Sequence, residues 1–206
     1  MAIHLHEGDL PDGLDLGDII AVDTETMGLI TPRDRLCVVQ LSAGNGDAHV
    51  VRLPQQPRPY KAPNLARMLA DRKRLKIFHF ARFDIAALKY WMGIDCTPVY
   101  CTKIASKLAR TYTDRHGLAD LCRELGGVEL SKQQQSSDWG AGALTDAQKT
   151  YAASDVLHLH VLKARLDEML AREGRAALAQ ACFDFLPHRV ALDLAGFGEG
   201  DDIFHH

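Results

Sequence analysis

The sequence predicts an α/β fold, a mixed sheet that starts antiparallel, continues parallel and is covered by helices. Three observations predict it. Apolar runs of strand type at 17–26, 35–43 and 47–53 come first, and Asn45-Gly46 between the second and third is a strong hairpin-turn signal. From residue 64 onward, short apolar strands alternate with segments of helical period. A long helix opened by a capping box ends the pattern.

Residues 17–26, GDIIAVDTET, are apolar until their polar last residues, which reads as a buried strand with a polar C-terminal end. RLCVVQLSA (35–43) and DAHVVRL (47–53) form the hairpin, so three antiparallel strands are expected first. Four prolines within 54–63 mark a loop. NLARMLAD (64–71) is a short helix, LKIFHF (75–80) a strand, and ARFDIAALKYWMG (81–93) a helix closed by Gly93. VYCTKIASKLAR (99–110) begins as a strand and becomes a helix, and GLADLCRELGG (117–127) is a helix with a glycine stop. Residues 128–142 are polar and irregular. Thr145, Asp146, Ala147 and Gln148 form the capping box of one helix running to about residue 174. The tail at 181–204 is too rich in Phe, Leu and Val for a disordered end and is expected to dock on its own domain or on another subunit. The length fits one domain, with a core at about 17–174 and a tail at 175–206.

Composition excludes several classes. With 47% apolar and 25% charged residues there is ample material for a core. No apolar run approaches a membrane span, and the first residues lack the basic and apolar parts of a secretory signal. Five scattered cysteines without a CxxC pair read as core thiols of a reducing, cytoplasmic setting. A net charge of −3 and a pI near 6.3 argue against a grip on long nucleic acid and for a short substrate, or for a basic patch assembled only in the fold. The basic run at 67–76 reads as a solvated helix end more readily than as such a patch.

Five residues stand at the edges of apolar elements, where a charge is costly without a partner: Asp23, Glu25, Asp84, Tyr151 and Asp155. Asp23 and Glu25, two apart on a strand, share one face and repel each other unless a cation lies between them. Thr24, Thr26 and Gly28 surround the pair, and Gly28 permits close approach of backbone to a ligand. Asp84 opens a helix, where the dipole alone would favour it. Tyr151 and Asp155 lie at i and i+4 on one helix face. Taken singly, each has an ordinary structural reading. Together they make an all-oxygen set suited to two hard divalent cations, Mg²⁺ or Mn²⁺, and to phosphodiester hydrolysis.

The order and context of these residues carry a resemblance. DTETMGL, HFARFD and YAASD resemble the three motifs of the DEDD 3′–5′ exonucleases, in the subgroup whose last motif carries tyrosine; the histidine subgroup needs His where Thr150 stands. LSKQQQSSDWGAGALTDAQKTYAASDVLHL resembles the stretch before the third motif of ribonuclease D, and the likeness covers about 17–170. Ribonuclease D carries further helical nucleic-acid-binding domains and usually Arg-Pro after the tryptophan, where this chain has Gly140-Ala141-Gly142. A chain of this length is similar to the nanoRNase C group, which degrades very short RNAs, dinucleotides above all.

The resemblance implies a ribonuclease H-like sheet and a 3′–5′ exoribonuclease releasing 5′-mononucleotides from short single-stranded RNA. It implies that Asp23, Glu25 and Asp155 hold one cation, that Asp23 bridges to a second contacted by Asp84 directly or through water, and that Tyr151 orients the attacking water. It also implies a ring-like homo-oligomer, with an octamer as one option. Leu29 is open to two readings, a wedge against the terminal base or core packing, and Met27 likewise. His79 falls at the second motif's histidine, facing sugar or phosphate, while Phe80 and Phe83 read as core or as stacking rings. Lys132, Gln134 and Ser136, in a run of Gln and Ser, are placed to clamp a 5′ phosphate, from the same or a neighbouring subunit, or to form a plain surface loop. Trp139 reads as a packing anchor, and His158 as no ligand, since the oxygen set is complete without it. Three other functions stay open: ribonuclease D-type trimming of longer RNA, DNA hydrolysis, and a non-catalytic binding module, which the intact acidic set opposes.

Overall fold

The Asn45-Gly46 turn folds as its sequence dictates in the computed structural model, which describes residues 2–131, 133–134, 136–198 and 203. Gly46 takes φ of 92°, the Asn45 side chain accepts from the Asp47 N–H at 3.0 Å, and the strands on either side pair antiparallel. In chain order the strands are β1 (Ile3–Glu7), β2 (Ile19–Thr26), β3 (Leu36–Ser42), β4 (Ala48–Arg52), β5 (Leu75–Phe78) and β6 (Val99–Cys101). They form one sheet in the order β1-β4-β3-β2-β5-β6. β2, β3 and β4 are antiparallel, while β5 and β6 continue parallel from β2. The mixed sheet is the one the sequence predicts.

One strand departs from the expected order. β1 precedes the hairpin and pairs parallel with β4 at the sheet edge. Its pattern is short, and two of its five residues are histidine: His4 and His6 flank Leu5, and both rings stack on His49. Its partner lies some forty residues on and is joined by no local turn, so nothing nearby in the sequence marks it as a strand.

The helices are α1 (Pro63–Ala70), α2 (Ala81–Met92), α3 (Thr102–Ala109), α4 (Leu118–Leu121), α5 (Asp146–Leu157), α6 (Leu159–Arg172) and α7 (Ala176–Leu194). Gly93 caps α2 with a left-handed turn, its N–H donating to the Lys89 carbonyl at 3.0 Å. α4 continues as a π-helical turn over Cys122–Gly126, a widening that the glycine-stopped pattern at 117–127 does not reveal. Within that turn Glu124 pairs with the fully buried guanidinium of Arg110.

The expected single helix from the capping box to residue 174 is two. The box forms as read, with the Thr145 Oγ1 accepting from the Gln148 N–H at 3.2 Å, but the helix breaks at His158. The break lets each half reach its own partner: α5 lies on β1 to β4, while α6 packs on α3, α7 and the π turn. The apolar tail begins as α7, which packs on α2, α3, α6 and β6. Of the basic run at 67–76, Lys76 is wholly buried, donating to the carbonyls of Asp71, Arg74 and Thr97 at 2.8, 2.7 and 2.5 Å, and Arg74 pairs with Asp15 and Asp71. That run is spent largely on structure. Among the described residues no helix is long and apolar enough to cross a membrane, and all five cysteines are free, four of them buried.

Candidate active site

The site lies where β2 ends, between α2 on one side of the chain's path and α5 on the other. β2 is apolar to Val22 and then presents Asp23 and Glu25 on one face, the face that α5 covers with Tyr151 and Asp155. The nearest oxygens of Asp23, Glu25 and Asp155 lie within 4.8 Å of one another. Thr24 points the other way, toward α2, and its hydroxyl donates to Asp84 Oδ1 at 2.7 Å. Asp84, 3% exposed, thus stands behind the trio, not among it.

α2 begins abruptly. β5 ends at Phe78, and Phe80 takes the left-handed conformation at φ 69°, the sole non-glycine with positive φ among the described residues. Such strain persists where the surroundings hold it. Here it turns the chain from the strand into the helix that carries Asp84.

Four acids packed this closely push each other toward protonation. Burial, then the charges of Asp84, Asp155 and Glu25, holds the Asp23 carboxyl well above its ordinary range. Burial followed by Asp155 and Asp84 raises Glu25 to about 9. Burial raises Asp84 to about 7, opposed by the Thr24 hydrogen bond. It raises Asp155 to about 7 as well, opposed by the neighbouring Tyr151 hydroxyl. Among the described residues, no Lys or Arg forms an ion pair with any of the four. A cluster of buried carboxylates without a counter-cation is a donor set that fits hard divalent cations. The Tyr151 phenol is driven up by burial and then by the neighbouring acids, so it keeps its proton.

A cleft of about 660 Å³ opens over the trio. Of the residues singled out from sequence, Asp23, Thr24, Glu25, Thr26, Met27, Gly28, Leu29, His79, Phe80, Phe83, Ser136, Trp139, Tyr151 and Asp155 line it. Gln134 is not among its lining residues, and Lys132 lies outside the described residues. Leu29 is 83% exposed at the cleft edge, which is not a core position. At Gly28 a Cβ would collide with the Asp34 carboxyl, so the glycine is required by the loop itself. Trp139 is buried with Val38, Val50 and Ala152, a packing anchor whose ring lies 6.0 Å from that of Tyr151.

His79 is fixed in both orientation and protonation. Thr102 Oγ1 donates to the Phe78 carbonyl at 3.1 Å, so the 2.9 Å contact with His79 Nδ1 takes its hydrogen from the imidazole. Nε2 is left as an acceptor, and burial followed by the charge of Lys103 lowers the ring to about 3, keeping it neutral. Sequence reasoning missed Lys103, residues 117–119, Leu130 and Ser131, which complete the cleft. Lys103 immediately follows the β6–α3 junction, at the C-terminal end of a parallel strand where sites gather, and that position was its available signal. Residues 117–119 start a predicted helix whose placement the sequence does not give, and Leu130 and Ser131 come from the irregular stretch, where no pattern predicts facing.

The comparisons with known proteins agree with this geometry. Residues 12–171 match the family model described as 3′–5′ exonuclease. The chain belongs to the 3′–5′ exonuclease family. The curated relatives include ribonuclease D of Gluconacetobacter diazotrophicus, 36% identical over 156 residues, 76% of this chain. This chain spans only 39% of that relative's length. Among solved structures, it is similar over its whole length to Brucella melitensis NrnC with bound Mg²⁺, at 54% identity and a TM-score of 0.94, covering 100% of both chains. The same protein bound to pGG matches at 55% identity and a TM-score of 0.95, covering 100% of this chain and 99% of that one. The family read from the motifs, and the nanoRNase C likeness read from the chain's length, therefore stand.

Proposed function

We propose that this chain is a metal-dependent 3′–5′ exoribonuclease that releases 5′-mononucleotides from very short RNAs, dinucleotides especially. The observation that carries the reading is the convergence of Asp23, Glu25 and Asp155 on one point of a cleft, with Asp84 behind them and, among the described residues, no Lys or Arg in an ion pair with any of the four. The full-length likeness to a protein seen with Mg²⁺ and with pGG supports both the cation and the substrate size.

In this reading Asp23, Glu25 and Asp155 would hold one cation, and Asp23 with Asp84 would hold a second. Two divalent cations, when bound, lower the pKa of water and stabilise the attacking and leaving oxygens of an in-line displacement. The chain's own residues do the rest. Tyr151, kept protonated beside Asp155, orients the water beside the scissile phosphate. His79, neutral with Nε2 free to accept, takes a hydrogen bond from a sugar hydroxyl and is unsuited to pairing with phosphate. Leu29 and Met27, both exposed at the cleft, offer an apolar edge to the terminal base. Ser136, with Lys132 and Gln134 of the same loop, is the candidate clamp for a 5′ phosphate. The setting is cytoplasmic and the working form a ring-like homo-oligomer, on the strength of the free buried thiols and the sequence resemblance.

The first test is hydrolysis of pGG in Mg²⁺ or Mn²⁺, with EDTA and Asp155→Asn as controls. Loss of activity on the order of a thousandfold or more in both controls is expected, with the fold retained by circular dichroism. Hydrolysis by Asp155→Asn at the wild-type rate would remove the assignment. A second reading, ribonuclease D-type trimming of longer RNA, has the named relatives in its favour. The dependence of the rate on RNA length separates the two.

A further inference from the structure

Strand β3 reads Leu-Cys-Val-Val-Gln-Leu-Ser and is buried along its whole length, with one long polar side chain in its middle. Gln40 is 0% exposed. Its register partner on β2 is Asp23, and its Nε2 donates to Asp23 Oδ2 at 3.1 Å. Its Oε1 is buried with no partner among the described residues. Val38, two residues earlier and on the same face, packs with Ala152 of α5, so Gln40 lies beneath the helix that brings Tyr151 and Asp155. A leucine or valine would fill this place without leaving a carbonyl oxygen unsatisfied, and a half-satisfied buried amide normally costs stability. The one bond it does make is to the acid shared between the two cation positions of the reading above.

We propose that Gln40 is a positioning residue: its amide fixes the Asp23 carboxylate in the orientation that faces Glu25 and Asp155, ready to serve as a cation ligand. This rests on the metal-dependent reading of the site. Ligating carboxylates are commonly held by such hydrogen bonds, and their loss weakens metal affinity by roughly 10- to 100-fold. Gln40→Met keeps the length and apolar volume and removes the donor, and Gln40→Asn keeps an amide that is too short to reach.

The deciding measurement is Mn²⁺ affinity by calorimetry on the folded protein, with melting in EDTA and pGG kinetics alongside. In Gln40→Met the affinity should fall about 10- to 100-fold. kcat at fixed low Mn²⁺ should fall with it, while KM for pGG stays within about twofold and excess Mn²⁺ recovers most of the rate. Melting in EDTA should change little, because removing the orphaned oxygen offsets the lost hydrogen bond to Asp23. Wild-type affinity in both variants would overturn the proposal, as would a lower melting point in EDTA with unchanged affinity. If Gln40→Met does not fold, Gln40→Asn carries the same affinity test. Failure of the parent reading looks different: the wild-type protein itself would bind no Mn²⁺ and leave pGG intact.

Discussion

Asp23, Glu25, Asp84 and Asp155 set the pH behaviour of the metal-free protein. A carboxyl whose pKa is higher in the folded than in the unfolded chain holds its proton more tightly when folded. The stability it contributes is complete below the ordinary carboxylate range and is lost as pH rises through its folded value. For Asp84 and Asp155 that loss is centred at about 7, and for Glu25 it extends to about 9. In EDTA the protein should therefore melt at a lower temperature at pH 9 than at pH 6. A divalent cation binds the charged forms, so Mg²⁺ should raise the melting temperature most at the alkaline end, and Asp155→Asn should flatten the curve in EDTA. Thermal melts across this range, with and without Mg²⁺, check the sign. A curve in EDTA that is flat or rises with pH would mean that the acids are individually solvated and do not form one cluster. His79 acts in the opposite sense: burial lowers its folded value to about 3, so the stability it contributes is present above its ordinary value and is lost as pH falls below that value toward 3.

At the scale of elements, the acids depend on helices held in place by contacts far from the cleft. Arg82, on the turn of α2 that carries Asp84, donates Nε and Nη2 to both oxygens of Asp193 on α7, at 2.6 and 2.7 Å, and Arg189 reaches the same carboxylate at 2.9 Å. Both ends of the Arg82 fork are largely buried, so Asp193→Asn should cost about 2 kcal/mol, read as a lower midpoint in urea, with pGG turnover by the molecules that remain folded nearly unchanged. A midpoint equal to the wild type would mean that α7 is held by its apolar face alone. The same helix shows where sequence reading stops. β2, the β3–β4 hairpin, α2 and the capping box of α5 were legible because each is fixed by local chemistry: an apolar run, an Asn-Gly turn, a glycine cap, a Thr-Gln box. β1, the break at His158 and the π turn after α4 were not, because each answers to a partner distant in sequence. The acids were legible for a third reason, since charge at the end of an apolar element is conspicuous. What supports them was not: Gln40 reads as one polar residue in an apolar strand, and Thr24 as a cleft residue, until the structure gives its hydroxyl to Asp84.

For the whole molecule the open question is substrate length, and charge and cleft size bear on it together. A protein that trims long RNA gains affinity from phosphate contacts beyond its active site, and each such contact steepens the fall of affinity with salt by about 0.7 in logarithmic slope for single strands. This chain has a net charge of −3, and its densest basic run is partly buried and tied to Asp15 and Asp71. The cleft of about 660 Å³ suits a substrate of a few nucleotides, with Lys103 among the described residues that line it as its cation. Nucleotides outside it would add little binding energy while still costing conformational entropy to hold. A time course on 5′-labelled RNAs of about 2 to 20 nucleotides in Mg²⁺ should thus show the dinucleotide disappearing first and the long RNAs shortening slowly. A 5′-phosphorylated dinucleotide carries two phosphates, so its affinity should fall with salt at a slope no steeper than about −1.4. Efficient stepwise trimming of the long RNAs that leaves dinucleotides behind, with a steep salt dependence, would mean that a basic track outside the cleft grips the chain, and would move this protein to ribonuclease D-type processing.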